Sequence, residues 1–338
     1  MEKNQYYPEA DLVIRHARLY TMAIDVSDFQ AGDRDFPVVD DGGVAVKGGR
    51  IIAVGSSADM EPLIGPHTQV IEAAGKVVTP GFVKSHEHVT FLGEKLANVD
   101  LTGITGRDEV LERIARAAAE APDGQWVLAN GWNELTWDDG TMITARELDE
   151  VCPNNPFFGM RTCFHCAMSN SLAMQAAGID PSTPDPYGGS LERDESGAPT
   201  GILHENSALN LIQSVIPELT QEQRIQALER AADYLLSVGI TSSVGANLNY
   251  EQMRAYTAAK LAGRLRFSAN LMFYLDSAFG DAKTHLRRLD EMCCTTGFGD
   301  DMLKLNGVKV TLDGTPSAHT ALLRDSYPGM PGFHGTST

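Results

Sequence analysis

The sequence predicts an α/β protein in which a small β region leads into a parallel sheet laid down by alternating strands and helices. Three observations predict it. Residues 11–75 alternate apolar and polar positions between turn signals. Residues 220–313 switch repeatedly between helical and strand periodicity. Between these regions an apolar run leads straight into the triplet His86-Glu87-His88.

The β region shows its strands as Asp11-Leu12-Val13-Ile14, Gly43-Val44-Ala45-Val46-Lys47 and Arg50-Ile51-Ile52-Ala53-Val54. Gly48-Gly49 separates the last two, and a two-glycine turn between short strands is a hairpin signal. Residues 1–75 are therefore expected as a small domain of antiparallel strands. Residues 76–92 are expected to hold one strand, from Lys76 through Thr79-Pro80-Gly81-Phe82 to His88, apolar enough to be buried on both faces.

The stretch 93–238 reads as an inserted subdomain followed by a connecting helix. Turn clusters such as Asp180-Pro181-Ser182-Thr183-Pro184-Asp185-Pro186 break its pattern. Within it, Val110, Leu111, Ile114, Ala117, Ala118 and Ala121 fall at helical spacing. Thr220 with Gln223 three residues on is a capping-box signature, and Gly239 closes the helix that follows. Residues 239–338 then give a strand at Ile240–Val244, a helix at 251–262, a strand at 265–273, a helix at 281–292 and a strand at 307–313.

Charge excludes some functions. The chain has 338 residues with 45 acidic and 27 basic side chains, a formal net charge of −18. Such an excess repels phosphate backbones and anionic headgroups, so neither nucleic acid nor a membrane surface is expected as partner. A small-molecule substrate is. The five cysteines (Cys152, Cys163, Cys166, Cys293 and Cys294) are sparse, odd in number and partly vicinal, which predicts reduced thiols. With no apolar run of about 20 residues and no leader pattern at the start, a cytoplasmic location is expected.

His86 and His88 carry the chemistry. Two apart on a strand, they project to the same side with backbones about 6.6–6.8 Å apart, a spacing that suits one metal ion. Imidazole is a good ligand for zinc and its neighbours. No Gly-x-Ser-x-Gly elbow, Walker loop or Rossmann glycine fingerprint appears, so serine nucleophiles and nucleotide binding are unsupported.

Several segments together resemble a known family. They are Val78-Thr79-Pro80-Gly81-Phe82-Val83-Lys84-Ser85-His86-Glu87-His88, Asp11-Leu12-Val13-Ile14, Gly49-Arg50-Ile51-Ile52-Ala53-Val54-Gly55, Gly131-Trp132-Asn133, Pro199-Thr200-Gly201-Ile202-Leu203-His204-Glu205, Gly239-Ile240-Thr241-Ser242 and Val308-Lys309 through Asp313-Gly314. Taken in their order along the chain they resemble the metal-dependent amidohydrolases, specifically their YtcJ-like branch.

The resemblance implies a TIM-type (β/α)8 barrel, partial here, with a small β-sandwich at the N-terminus, an inserted subdomain and metal at the carboxyl face. It implies hydrolysis of an amide or other non-peptide C–N bond with one or two divalent ions, Zn2+ first among them. His86 and His88 match the first-strand ligands. Lys309 falls where related enzymes often carry a carboxylated, metal-bridging lysine; the alternative is an ordinary strand lysine, neutralised by Asp313 or turned to solvent. One position departs from the family, because Lys84 stands where an acidic residue is usual, on the side of His86.

His165 sits where the family's insertion carries a histidine, and substrate contact and structural packing are both open to it. The surrounding Cys163-Phe164-His165-Cys166 lacks the second cysteine pair of a zinc site. His204-Glu205 opens like a zinc-protease motif, but position 208 is alanine, which leaves Glu205 as a pocket-lining acid on the family's pattern. His16, His67, His285, His319 and His334 belong to no constellation.

Only 25 residues follow Asp313, ending in a turn-rich tail. The later ligands and the water-activating aspartate of the resembled family have no counterparts here. The expectation is a truncated product of a parent about 200 residues longer. An open barrel wall of this kind is expected to aggregate or to pair as a homodimer. The competing reading is a half-barrel that binds a ligand or partner without catalysis.

Overall fold

A computed structural model describes residues 8–23, 37–137, 140–275, 282–291, 295–311, 313 and 321–335. Cys293, Cys294 and His319 lie outside the described residues. The chain divides into two compact units, Met1–Phe82 and Val83–Thr338.

The first unit holds β1 (Leu12–Tyr20), β2 (Val38–Lys47), β3 (Arg50–Ser56), the short helix α1 (Ser57–Met60), β4 (Gln69–Glu72) and β5 (Val77–Val78). Lys47 pairs with Arg50 across Gly48 and Gly49, whose φ angles of 56° and 74° are the positive values that a tight hairpin turn requires. The sheet is mixed, which corrects the expectation of antiparallel strands throughout. After the hairpin the chain crosses through α1, so β4 and then β5 align parallel to β1. Val13, Ala45, Met60 and Leu63 form the small core of this unit.

The expected strand over 76–88 is also corrected. It is interrupted at Pro80, which has no N–H to give a ladder, and resumes as β6 (Phe82–Glu87). Nor is β6 buried on both faces. It lies at one end of a four-stranded sheet, and Phe82 and Val83 are 59% and 64% exposed.

The second unit continues with α2 (Val89–Lys95), β7 (Val99–Asp100), α3 (Arg107–Glu120), β8 (Val127–Trp132), α4 (Ala145–Val151), β9 (Phe157–Arg161), β10 (Cys166–Ser169), α5 (Ser171–Ala176), β11 (Ser190–Arg193), β12 (Pro199–His204) and α6 (Glu205–Gln213). Six of these strands make one sheet in the order β11-β12-β10-β9-β8-β7. The strands from β7 to β9 pair parallel, whereas those from β9 to β11 pair antiparallel. Ile114 of α3 and Leu148 of α4 are fully buried with Trp132 and Phe157. Each aliphatic side chain so buried contributes about 1.5–3 kcal/mol. The Trp132 indole is satisfied by donating to the Gly159 carbonyl at 2.8 Å.

The remaining elements are α7 (Gln221–Ser237), β13 (Ile240–Leu248), α8 (Tyr250–Leu261), β14 (Ser268–Leu275), α9 (Ala282–Glu291) and β15 (Leu303–Val310). They build the four-stranded sheet β15-β14-β13-β6, with β13, β14 and β15 parallel. The Thr220 capping box forms as the sequence indicates, with Gln223 N–H donating to Thr220 Oγ1 at 3.3 Å and Thr220 N–H to Gln223 Oε1 at 2.8 Å. The last strand begins earlier than expected: Gly307, read as its start, lies inside it at a register shift against Met272.

Helix α2 packs against α7 so closely that a Cβ on Gly93 would stand 1.9 Å from the Ala227 carbonyl oxygen. Only glycine allows this approach, and it seats the corner where β6 passes into α2. No helix among the described residues is long and apolar enough to cross a membrane.

Candidate metal centre

His86 stands near the end of β6, and His88 lies just past it as the N-cap residue of α2. His88 is therefore not a strand residue as expected, yet the two rings still meet edge to face with centroids 5.4 Å apart and planes at 70°. His86 is exposed and His88 half-buried. The backbone N–H of His88 donates to Glu87 Oε1 at 2.9 Å, which fixes the chain where it turns from strand to helix.

The spacing of the rings fits one cation. A ring nitrogen bound at about 2.0–2.1 Å puts its ring centroid roughly 3.2 Å from the metal, so two such rings at a tetrahedral angle stand about 5 Å apart. Two imidazoles are a neutral and incomplete donor set. Among the described residues no group of three or more His, Cys, Asp and Glu side chains is arranged to hold a metal.

Lys309 lies on β15, at the opposite end of the same sheet, paired in register with Tyr274. Three strand spacings separate it from β6, roughly 14 Å measured along the sheet. Lys309 is half-buried, and among the described residues it forms no ion pair with Asp313, whose Oδ2 accepts from the Leu322 N–H at 2.8 Å. Lys84 is exposed.

His165 and Glu205 come together on the other sheet. Cys166 pairs with His204 across β10 and β12, so the next residues outward on these antiparallel strands, His165 and Glu205, continue the ladder. Glu205 N–H donates to the His165 carbonyl at 2.7 Å, and His165 Nδ1 lies 2.9 Å from Glu205 Oε2. Glu205 holds a φ of 67°, an uncommon conformation for a residue with a side chain, where strand passes into helix. Both side chains are more than half exposed.

Sequence reasoning passed over Arg161 and Glu134 beside this dyad. Glu134 is buried and forks with the Arg161 guanidinium, whose influence reaches the Cys163 thiol. The signal available was Glu134 itself, an acid directly after the Gly131-Trp132-Asn133 segment and between the two tryptophans Trp132 and Trp137. Burial raises the Cys163 pKa, but the Arg161 hydrogen bond, the His165 N–H and the guanidinium charge outweigh it and leave the thiol below its ordinary value. Burial instead pushes Cys166 up to about 12 and Cys152 up to about 11.

Comparison with known proteins shows the family to which this α/β chain belongs. Residues 69–337 match the model of the amidohydrolase family. The chain belongs to that family, in its YtcJ-like branch. It is 31% identical over 298 residues to the putative amidohydrolase YtcJ of Bacillus subtilis, a match covering 86% of this chain and 54% of the relative. It is 35% identical over 231 residues to an N-substituted formamide deformylase of Arthrobacter pascens, covering 67% of this chain and 42% of the relative. Among solved structures, an uncharacterized metal-dependent hydrolase from Pyrococcus furiosus superposes with a TM-score of 0.71 at 26% identity, over 97% of this chain and 62% of that one. The chain thus spans about half the length of the curated relatives it matches.

Proposed function

We propose that this chain carries the first metal ligands of a hydrolase that cleaves an amide or other non-peptide C–N bond in a small molecule. The observation that carries the reading is the adjacency of the His86 and His88 rings at the end of β6. On this reading 76–92 and 239–338 form part of a (β/α)8 wall, 93–238 an insertion, and 1–75 part of a sandwich.

When bound, a divalent ion such as Zn2+ supplies Lewis acidity and makes a hydrolytic nucleophile accessible near neutral pH. His86 and His88 offer it ring nitrogens, while Glu87 holds the His88 backbone. Lys309, on the far strand of the same sheet, would become an anionic donor if carboxylated at Nζ by carbon dioxide. His165 contacts the substrate through Nε2, because Glu205 holds Nδ1 and thereby sets the ring's orientation. The deformylase relative makes N-substituted formamides the first substrates to try.

The test is hydrolysis of N-substituted formamides and small amides by the protein carrying these residues, before and after chelation. Turnover that disappears with chelator, returns with Zn2+ and is absent from a His86→Ala, His88→Ala variant supports the reading. Turnover indifferent to chelator and to both substitutions contradicts it.

A further inference from the structure

Strand β13, the neighbour of β6, and helix α8 carry two buried hydroxyls that the proposed chemistry does not use. Ser243 on β13 is fully buried, and its Oγ has no hydrogen-bond partner among the described residues. Tyr256 on α8 is also fully buried, and its hydroxyl is likewise unpartnered. They border one region of the interior. Gly245 shares the strand face of Ser243 two residues on, and a Cβ there would stand 3.7 Å from the Tyr256 oxygen. Glu87 lies on β6, which neighbours β13 in the sheet. Burial raises the Tyr256 pKa, and the Glu87 charge raises it further.

Buried hydroxyls are almost always hydrogen-bonded, and a carboxylate can only accept. A water molecule, with two protons to give and two lone pairs, is the smallest group that satisfies both hydroxyls and the carboxylate together. We propose that one buried water bridges the Tyr256 hydroxyl, the Ser243 hydroxyl and the Glu87 carboxylate, and that this bridge pins the β6–α2 corner carrying His86 and His88.

The corner is already held on its other side. Gln252, one helical turn before Tyr256 on α8, donates from Nε2 to the buried Thr90 Oγ1 at 2.9 Å. Helix α8 therefore grips the corner at two points, and Glu87 passes the second grip to His88 through its 2.9 Å backbone hydrogen bond. Tyr256 and Ser243 are positioning residues. Their effect on the histidines rests on the metal reading, whereas the water site does not.

Tyr256→Phe keeps the ring and its edge-on packing against Phe267 and removes only the hydroxyl. A hydroxyl without any partner is better removed, so the melting temperature would hold or rise; a bridged hydroxyl is missed, and it falls. The expected result is a fall of about 2–4 °C, with a similar fall for Ser243→Ala. The double variant is expected to lose no more than the larger single loss, because both changes break one bridge.

The second readout is Co2+ affinity of the folded chain by chelator competition, with Thr220→Ala as an equally destabilised control. Severalfold weaker binding in Tyr256→Phe, with the control unchanged, supports positioning. A melting temperature that holds or rises in Tyr256→Phe overturns the water bridge. A lowered melting temperature with unchanged Co2+ affinity overturns the positioning role. Wild-type chain that binds no Co2+ overturns the metal reading and positioning with it, while the melting temperatures still decide the bridge.

Discussion

Arg161 and Glu134 meet as a fork: Nε donates to Oε2 at 2.7 Å and Nη2 to Oε1 at 3.0 Å. Nη2 also donates to Asn133 Oδ1 at 2.8 Å, and the guanidinium lies 6.0 Å from the Trp132 ring centroid. Both partners are largely shielded, with side chains 15% and 8% exposed.

Glu134→Gln keeps the shape of this pair and removes the charge, leaving a guanidinium in a shielded place without its carboxylate. Loss of one partner from a buried pair costs about 3–5 kcal/mol, and the amide's remaining acceptor places the expected loss near the lower end. Urea titration measures it. A change within about 0.5 kcal/mol would show that the fork does not hold this part of the sheet.

Cys163 is predicted to be the most readily alkylated of the three described cysteines. It is exposed, while Cys152 and Cys166 are buried. Because its pKa is lowered, its reaction with iodoacetamide rises with pH through a midpoint below that of an unperturbed thiol. Arg161→Met, by removing the donor and the charge, moves that midpoint up. Rates against pH for each cysteine, read by mass spectrometry, check both points; an unmoved midpoint in the variant removes Arg161 as the cause.

Glu94 on α2 has a raised pKa, because burial outweighs the opposing charges of Arg224 and Arg230. Folding therefore favours its protonated form. The stabilising contribution is complete below the unfolded value of about 4.3 and is lost as pH rises through the folded value. Glu94→Gln is thus predicted to raise the melting temperature at pH 7 and to leave it nearly unchanged at pH 4. Destabilisation at pH 7 would mean that Arg224 and Arg230 outweigh burial.

Much of the fold is legible where local chemistry decides it. The Gly48-Gly49 hairpin and the Thr220–Gln223 capping box depend on a few adjacent residues, and both form as read. Residues 93–238 were less legible, because their six-stranded sheet mixes parallel and antiparallel pairs joined across long sequence distances. Likewise, nothing local in Ser85-His86-Glu87-His88 shows that the strand stops at Glu87. At the candidate site, His-x-His spacing pointed to rings that do lie together, and His165 and Glu205 meet because two strand ends happen to be adjacent. Tyr256 was invisible. On α8 it is one more apolar-face residue, and only packing shows that its hydroxyl is buried without a partner among the described residues.

The central claim is that His86 and His88 bind one divalent cation together. The direct measurement is zinc bound to purified chain at equilibrium with a competing chelator, for wild type and for His86→Ala, His88→Ala and His165→Ala. The account predicts zinc retained by wild type and His165→Ala, and affinity lower by at least about tenfold, some 1.4 kcal/mol, in each of the other two. Equal zinc in all four proteins would contradict it.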